Sequence, residues 1–320
     1  MASFTLYFLS LSLFSLFPTP LGSGHLTHLG LVEPSQVQAN ISPPLPGIFP
    51  SEHVRTSKFT RHYANLWGSQ HQNVSKDNSS VTLRIDRYSG SGFKSKKSYM
   101  YGFFNAAIKL QSGYTAGIIT SFYLSNNQVY EGWHDEVDME FLGTITGEPI
   151  KLQTNVYGNG TGDGTGMQGR EQHFHLWFDP TATFHNYSIL WSPHQILFLV
   201  DDIPIRRFPR VRALGPKYPS KPMSVYATIW DASDWATDGG KYKANYTYEP
   251  FYATYTNFKL RGCQKKRCSH ALDSLIPPKP NKQFRESLKF VRENYMVYDY
   301  CQDLQRYPNR LPECPSLKHW

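Results

Sequence analysis

Between about Lys58 and Leu260 the chain is written in short runs of strand-forming residues, each cut off by Gly, Asn, Asp or Pro. No long amphipathic helix interrupts them. Val81-Thr82-Leu83-Arg84-Ile85-Asp86 alternates apolar and polar, the mark of a strand with one face buried. Ile196-Leu197-Phe198-Leu199-Val200 is apolar on both faces and is expected as a central strand. Asp201-Asp202 and Ser89-Gly90-Ser91-Gly92 carry turn residues. Many short strands in one large unit predict an all-β sandwich or jelly roll. A chain of 320 residues can bury the core this needs. Its Tyr and Phe favour strands, and such rings can also stack on sugar faces.

The ends differ from this middle. Phe4 to Phe17 is almost continuously apolar, too short to span a bilayer, and is followed by Pro18, Pro20 and small residues. Although the first residues lack Lys and Arg, 1–24 reads as a signal peptide. Residues 25–55 hold the run Ser42-Pro43-Pro44-Leu45-Pro46-Gly47 and read as an extended leader with little fold of its own. The four cysteines, Cys263, Cys268, Cys301 and Cys314, all lie in the C-terminal extension, 263–320. No CxxC pair suggests a metal site. In an oxidising compartment disulfides are favoured, and of three possible pairings Cys263–Cys268 with Cys301–Cys314 closes two short loops. Six Asn-x-Ser/Thr sequons begin at Asn40, Asn73, Asn78, Asn159, Asn186 and Asn245, the fifth in a strand-like run. In the extension Phe284, Leu288, Val291, Tyr295 and Tyr298 recur at helical spacing, with Asn281 as N-cap. The net charge is +8, and twelve Lys/Arg against six Asp/Glu from Arg261 onward place most of the excess there. That excess fits either a solvated basic face or retention on an acidic matrix, not nucleic acid, which a secreted protein rarely meets.

One segment carries chemistry. In Trp133-His134-Asp135-Glu136-Val137-Asp138-Met139-Glu140-Phe141-Leu142-Gly143, strand alternation puts Glu136, Asp138 and Glu140 on one face and Val137, Met139 and Phe141 on the other. Three acids with no interleaved Lys or Arg repel one another, a cost a purely structural strand avoids. Calcium is the structural alternative, but its carboxylates usually sit on loops. Retaining glycosidases need two carboxyl groups ~5–5.5 Å apart. Glu136 and Glu140 are ~13 Å apart at Cα on an extended strand, a gap that long side chains and strand twist can close. One would attack the anomeric carbon, the other protonate the leaving oxygen, and the charges of Glu136 and Asp138 are expected to raise the pKa of Glu140. A lectin would have no use for such a cluster.

The run His134 to Gly143 resembles the active-site signature of the plant xyloglucan endotransglucosylase/hydrolases of glycoside hydrolase family 16. The similarity continues through Gln153-Thr154-Asn155-Val156, Leu176-Trp177-Phe178-Asp179-Pro180, Asp201-Asp202-Ile203-Pro204-Ile205 and Ile229-Trp230-Asp231-Ala232-Ser233-Asp234-Trp235-Ala236-Thr237 to the cysteine-bearing tail. It implies a concanavalin-A-like β-jelly-roll sandwich over 56–262. The C-terminal extension would hold one helix and two disulfides. Glu136 would be the nucleophile, Glu140 the general acid/base and Asp138 its helper, with no cofactor and no metal. Glucan-binding positions map onto Gln153, Thr154, Asn155, Gly169, Arg170, Glu171, Asp234, Trp235, Gly239 and Arg306. Xyloglucan donor and acceptor chains would be the partners, in the cell wall or apoplast, without membrane attachment. Met139, Thr144, the sequon at Asn159 and the long segment Arg207 to Pro222 depart from the commoner pattern. They resemble the divergent group that includes hydrolytic members. Transglucosylation is expected over hydrolysis.

Overall fold

The computed structural model describes residues 41–160, 169–264 and 270–315. The expected signal peptide and Cys268 lie outside them. In chain order the strands are β1 (Thr56–Ser57), β2 (Tyr63–Trp67), β3 (Gln72–Val74), β4 (Val81–Ile85), β5 (Ser91–Ser95), β6 (Gly102–Leu110), β7 (Ile118–Ser125), β8 (Glu136–Leu142), β9 (Lys151–Tyr157), β10 (Gln172–Phe174), β11 (His185–Trp191), β12 (Gln195–Val200), β13 (Ile203–Pro209), β14 (Ser224–Asp231), β15 (Phe251–Gly262) and β16 (Met296–Asp299). They form two sheets of eight. One runs β13-β12-β11-β6-β15-β4-β3, with β1 also on β15. The other runs β16-β10-β9-β8-β7-β14-β5-β2. Chain-adjacent strands repeatedly change sheet, as β4 to β5 and β6 to β7, which is jelly-roll rather than meander connectivity.

The interior is aromatic. Phe141 of the second sheet meets Tyr187 of the first edge-on at 4.7 Å, and Phe93 meets Tyr255 likewise at 5.4 Å. Such contacts add about 0.5–1.5 kcal/mol beyond the area they bury. β4 alternates as its sequence predicts, with Val81, Leu83 and Ile85 inside. β12 is buried along its whole length, yet it lies one strand from an edge rather than at the centre. A helix of the extension, Lys282–Asn294, packs on its neighbour β13 and covers that side. Asp201 and Asp202 both take positive φ, the tight hairpin turn that joins β12 to β13. The turn expected over Ser89 to Gly92 is displaced. It closes where Asp86 Oδ1 accepts from Tyr88 N and Ser89 N, and Ser91 and Gly92 already belong to β5.

Among the described residues three α-helices are formed, α1 (Phe59–His62), α2 (His270–Asp273) and α3 (Lys282–Asn294), so the extension holds a short helix besides the one expected. Asn281 caps α3, accepting from Phe284 N at 2.8 Å, and Phe284, Leu288 and Val291 are buried. The helical pattern runs past the helix. Tyr295 ends it, and Tyr298 lies on β16, which pairs with β10 and lengthens the second sheet by one strand. Cys301 is bonded to Cys314, and Cys263 is also disulfide-bonded. The expected leader is seated on the sandwich from Ile41 onward. Ile41 O accepts from Tyr295 Oη, Ser51 binds Asp202 through both its backbone N and its hydroxyl, and Val54 enters the core.

Candidate active site

The site grows from β8. Val137, Met139 and Phe141 are 0–2% exposed against the other sheet, so Glu136, Asp138 and Glu140 must face outward. β8 is flanked on both sides, by β7 and β9. Antiparallel register then brings Ser125, Tyr123 and Ser121 of β7 to one side of the three acids, and Tyr157, Asn155 and Gln153 of β9 to the other. β14 adds Ser224, Tyr226, Thr228 and Trp230 to the same face. Tyr226 stacks on Tyr123 at 5.1 Å, and the ammonium of Lys94 from β5 lies 5.3 Å from the Tyr226 ring centre. Gly143 ends β8 at a close approach, since a Cβ there would fall 1.9 Å from Thr115 O.

The acids are poorly solvated. Burial raises Glu136 to about 7, opposed by a hydrogen bond from Ser125. Burial raises Glu140 to about 7 as well, helped by the charge of Glu136 and opposed by the Gln153 amide, which donates to Glu140 Oε2 at 2.8 Å. Asp138 is pushed well above the usual carboxylate range, by burial first and then by both glutamates, with the Arg206 guanidinium pulling the other way. Near neutral pH the trio retains protons. The sequence reading expected the charges of Glu136 and Asp138 to raise Glu140; burial is the larger cause, and the charge of Glu136 adds to it. His134 Nε2 stands 3.6 Å from Glu136 Oε2, and burial lowers the pKa of that imidazole. The residue behind the first glutamate, Asp135, is 1% exposed. It accepts from Asn159 N, Ser220 N and Lys221 N, tying two loops to the start of β8.

The remaining expected residues divide. Gln153 meets Glu140 directly. Asn155 is on the cleft face, but its amide is spent on scaffold, donating to Tyr157 Oη and accepting from Val156 N and Arg170 N. Thr154 is a correction. Alternation turns it to the inter-sheet side, where it is 0% exposed and donates to Gln172 O. The Arg170 side chain is a second correction. It is 2% exposed and bonds Glu313 Oε1 at 2.6 Å in the extension, so no sugar hydroxyl reaches it. Gly169 offers its carbonyl to Tyr307 Oη, and Glu171 takes a two-pronged bond from Arg306, at 2.8 and 3.0 Å. At the far end of the sheet Trp235 lies 6.1 Å from Trp230, Asp234 is wholly exposed 3.6 Å from Lys243, and Gly239 takes positive φ with open space about it. The sequence reading missed Ser121, Tyr123 and Ser125. Their alternation with Phe122 and Leu124 is the signal that would have found them.

The profile of glycosyl hydrolases family 16 matches residues 59–248, and that of the xyloglucan endo-transglycosylase C-terminus matches 278–314. Xyloglucan endotransglucosylase/hydrolase protein 31 of Arabidopsis thaliana is 51% identical over 279 residues, covering 85% of this chain and 92% of that protein. A probable xyloglucan endotransglucosylase/hydrolase protein of Nicotiana tabacum is 43% identical, covering 80% and 88%. Among solved structures, the apo Crh5 transglycosylase superposes with a TM-score of 0.52 at 21% identity, covering 71% of this chain and 92% of that one. A Bacillus licheniformis β-glucanase gives 0.50 at 22%, covering 64% and 92%. These two share the fold. The tandem profiles and the long, half-identical relative go further: the chain belongs to glycoside hydrolase family 16, among its xyloglucan endotransglucosylase/hydrolases.

Proposed function

We propose that this protein cuts the β-1,4-glucan backbone of xyloglucan and joins the cut end to another xyloglucan chain, remodelling the plant cell wall. The observation that carries this is the file of three outward-facing acids with Gln153 bonded to the third. Glu136, ionised, attacks the anomeric carbon while Glu140 gives its proton to the departing glycosidic oxygen. The bond to the leaving chain breaks and a covalent glycosyl-enzyme forms. Glu140, now ionised, takes the proton from the 4-hydroxyl of an incoming chain. That oxygen displaces Glu136, and the starting charges return. A protonated Asp138 between the two glutamates donates a hydrogen bond to Glu136 and weakens its hold on the sugar when it must leave. Gln153, Glu171, Arg306, Asp234, Trp235 and Gly239 bind sugar along the same face, with the backbone of Asn155 and Gly169. The chemistry calls for no cofactor.

Secretion to the apoplast is supported by the apolar N-terminus and the Cys301–Cys314 bond. The basic extension supports retention on the wall matrix. Asn159 is proposed as a glycan site. It lies on a loop at positive φ, and its Oδ1 accepts from Lys221 Nζ at 2.9 Å.

The test incubates the purified protein with xyloglucan and a fluorescent xyloglucan oligosaccharide. Label in long chains without a matching rise in reducing ends is the expected result. Reducing ends without label would make the protein a hydrolase on the same site. Neither signal would overturn the reading.

A further inference from the structure

Behind the cleft floor lies a cation the mechanism does not use. Arg206 is 2% exposed, between the two sheets. It reaches that place through an irregularity. Along β12 and β13, Phe198 pairs with Arg206 but Leu199 pairs with Pro204, leaving Ile205 as an extra residue. Such a bulge re-aims the side chain that follows it, and here Arg206 turns inward beside Phe208. Its guanidinium lies 5.3 Å from the Phe198 ring, 5.9 Å from Phe208 and 5.8 Å from Tyr300. Nη1 donates to Thr154 O at 2.8 Å and to Thr154 Oγ1 at 2.9 Å, and Nη2 donates to Arg170 O at 2.6 Å.

Those acceptors sit beside the residues that shape the site. Thr154 lies between Gln153, whose amide holds Glu140, and Asn155, whose Oδ1 accepts from Arg170 N at 2.7 Å. Arg170 precedes Glu171, the partner of Arg306. One planar fork thus grips β9 and the segment leading into β10 from behind, at the points where their front faces carry Gln153, Asn155 and Glu171. Only Arg can do this. A lysine ammonium is a single point on a flexible stem and cannot hold two backbones in one plane.

We infer that Arg206 is a positioning residue for the proton-transfer half of the reaction: by fixing β9 it presents the Gln153 amide to Glu140 and so holds the acid on the leaving oxygen. The inference rests on Glu140 as the acid. It gives Thr154 a role as well, as the handle on the strand rather than a sugar contact. It also predicts a selective defect. When the leaving group departs without a proton, the position of Glu140 matters little for the first step.

The full-length protein carrying Arg206→Lys is compared with the parent on two donors, xyloglucan and an activated aryl glycoside of a xyloglucan oligosaccharide, such as a dinitrophenyl ether. General acid catalysis is worth about 10²–10⁴-fold. A displaced acid is expected to lose about 10–100-fold in kcat on xyloglucan, with KM within about twofold, and under about threefold in the release of the aryl group. Equal losses on both donors, or no loss on either, would overturn the inference. Thr154→Val removes one acceptor at nearly constant volume. It should show the same selectivity at a smaller amplitude, and it decides the matter if Arg206→Lys does not fold. Glu140→Ala separates the two claims. If it too lost both activities equally, the assignment of the acid would fail; if it alone showed the selective pattern, only the role of Arg206 would fail.

Discussion

Two sets of carboxylates in this molecule are treated in opposite ways. Glu313, in the extension, is fully buried, but its oxygen lies 2.6 Å from Arg170 Nε and accepts from Tyr300 Oη at 3.1 Å. Glu136, Asp138 and Glu140 are packed onto one strand face with no Lys or Arg within ion-pair distance among the described residues, and burial drives all three upward. A buried charge with a partner is scaffold. A row of acids without one is a proton store, and the proposed mechanism gives that repulsion a use, since it needs one acid ionised and one protonated at the same pH.

Removing a member from each set should break them differently. Glu136→Ala and Glu140→Ala are expected to lose at least about a thousandfold in transfer of natural xyloglucan. Each should unfold no more easily than the parent at pH 8, since a repelling charge has gone. A variant with ordinary rates would dissolve the distinction. Glu313→Gln should do the reverse. It leaves the buried Arg170 without its counter-charge, at a cost of about 3–5 kcal/mol in denaturant unfolding.

Protons sharpen the contrast. Glu136 and Glu140 rise from 4.5 to about 7 in the folded chain. Between those values the native protein holds protons that the unfolded chain has released. The contribution is full below about 4.5 and declines as pH rises through about 7. Melting temperature should therefore fall from pH 5 to pH 8, and fall less in Glu140→Gln. Transfer should decline above about 7 as Glu140 loses its proton; a flat profile from pH 4 to 9 would count against the assignment. The smallest effect is expected at Arg306, whose bond to Glu171 is 43% exposed on the arginine side. Arg306→Ala should cost no more than about 1 kcal/mol in stability, while KM for xyloglucan rises.

Period two was enough to read the acid row, because each residue from Glu136 to Phe141 obeys it. The same rule, applied to Gln153-Thr154-Asn155, already turns Thr154 away from its neighbours; the resemblance alone had placed it with them. Arg206 was beyond that rule. The extra residue at Ile205 breaks alternation, so nothing local says whether Arg206 or Arg207 points inward. Tyr298 was misread for a different reason. Its helical spacing is genuine, but the pairing of His173 with Tyr298 takes it into the sheet, and that partner is distant in sequence. The burial of β12 and the ion pair of Arg170 with Glu313 depend likewise on the extension folding back.

That return has one more consequence. β16 is four residues long and lies over the edge of β10, itself only three. The cleft sheet thus finishes in a stub, with few free amide and carbonyl groups for a stray strand to join. A chain cut before Asn281 would lose Arg306, but it would also bare β10 and offer a template for edge-to-edge aggregation. The extension is in this sense a solubility device as well as the source of the Arg306 bond to Glu171.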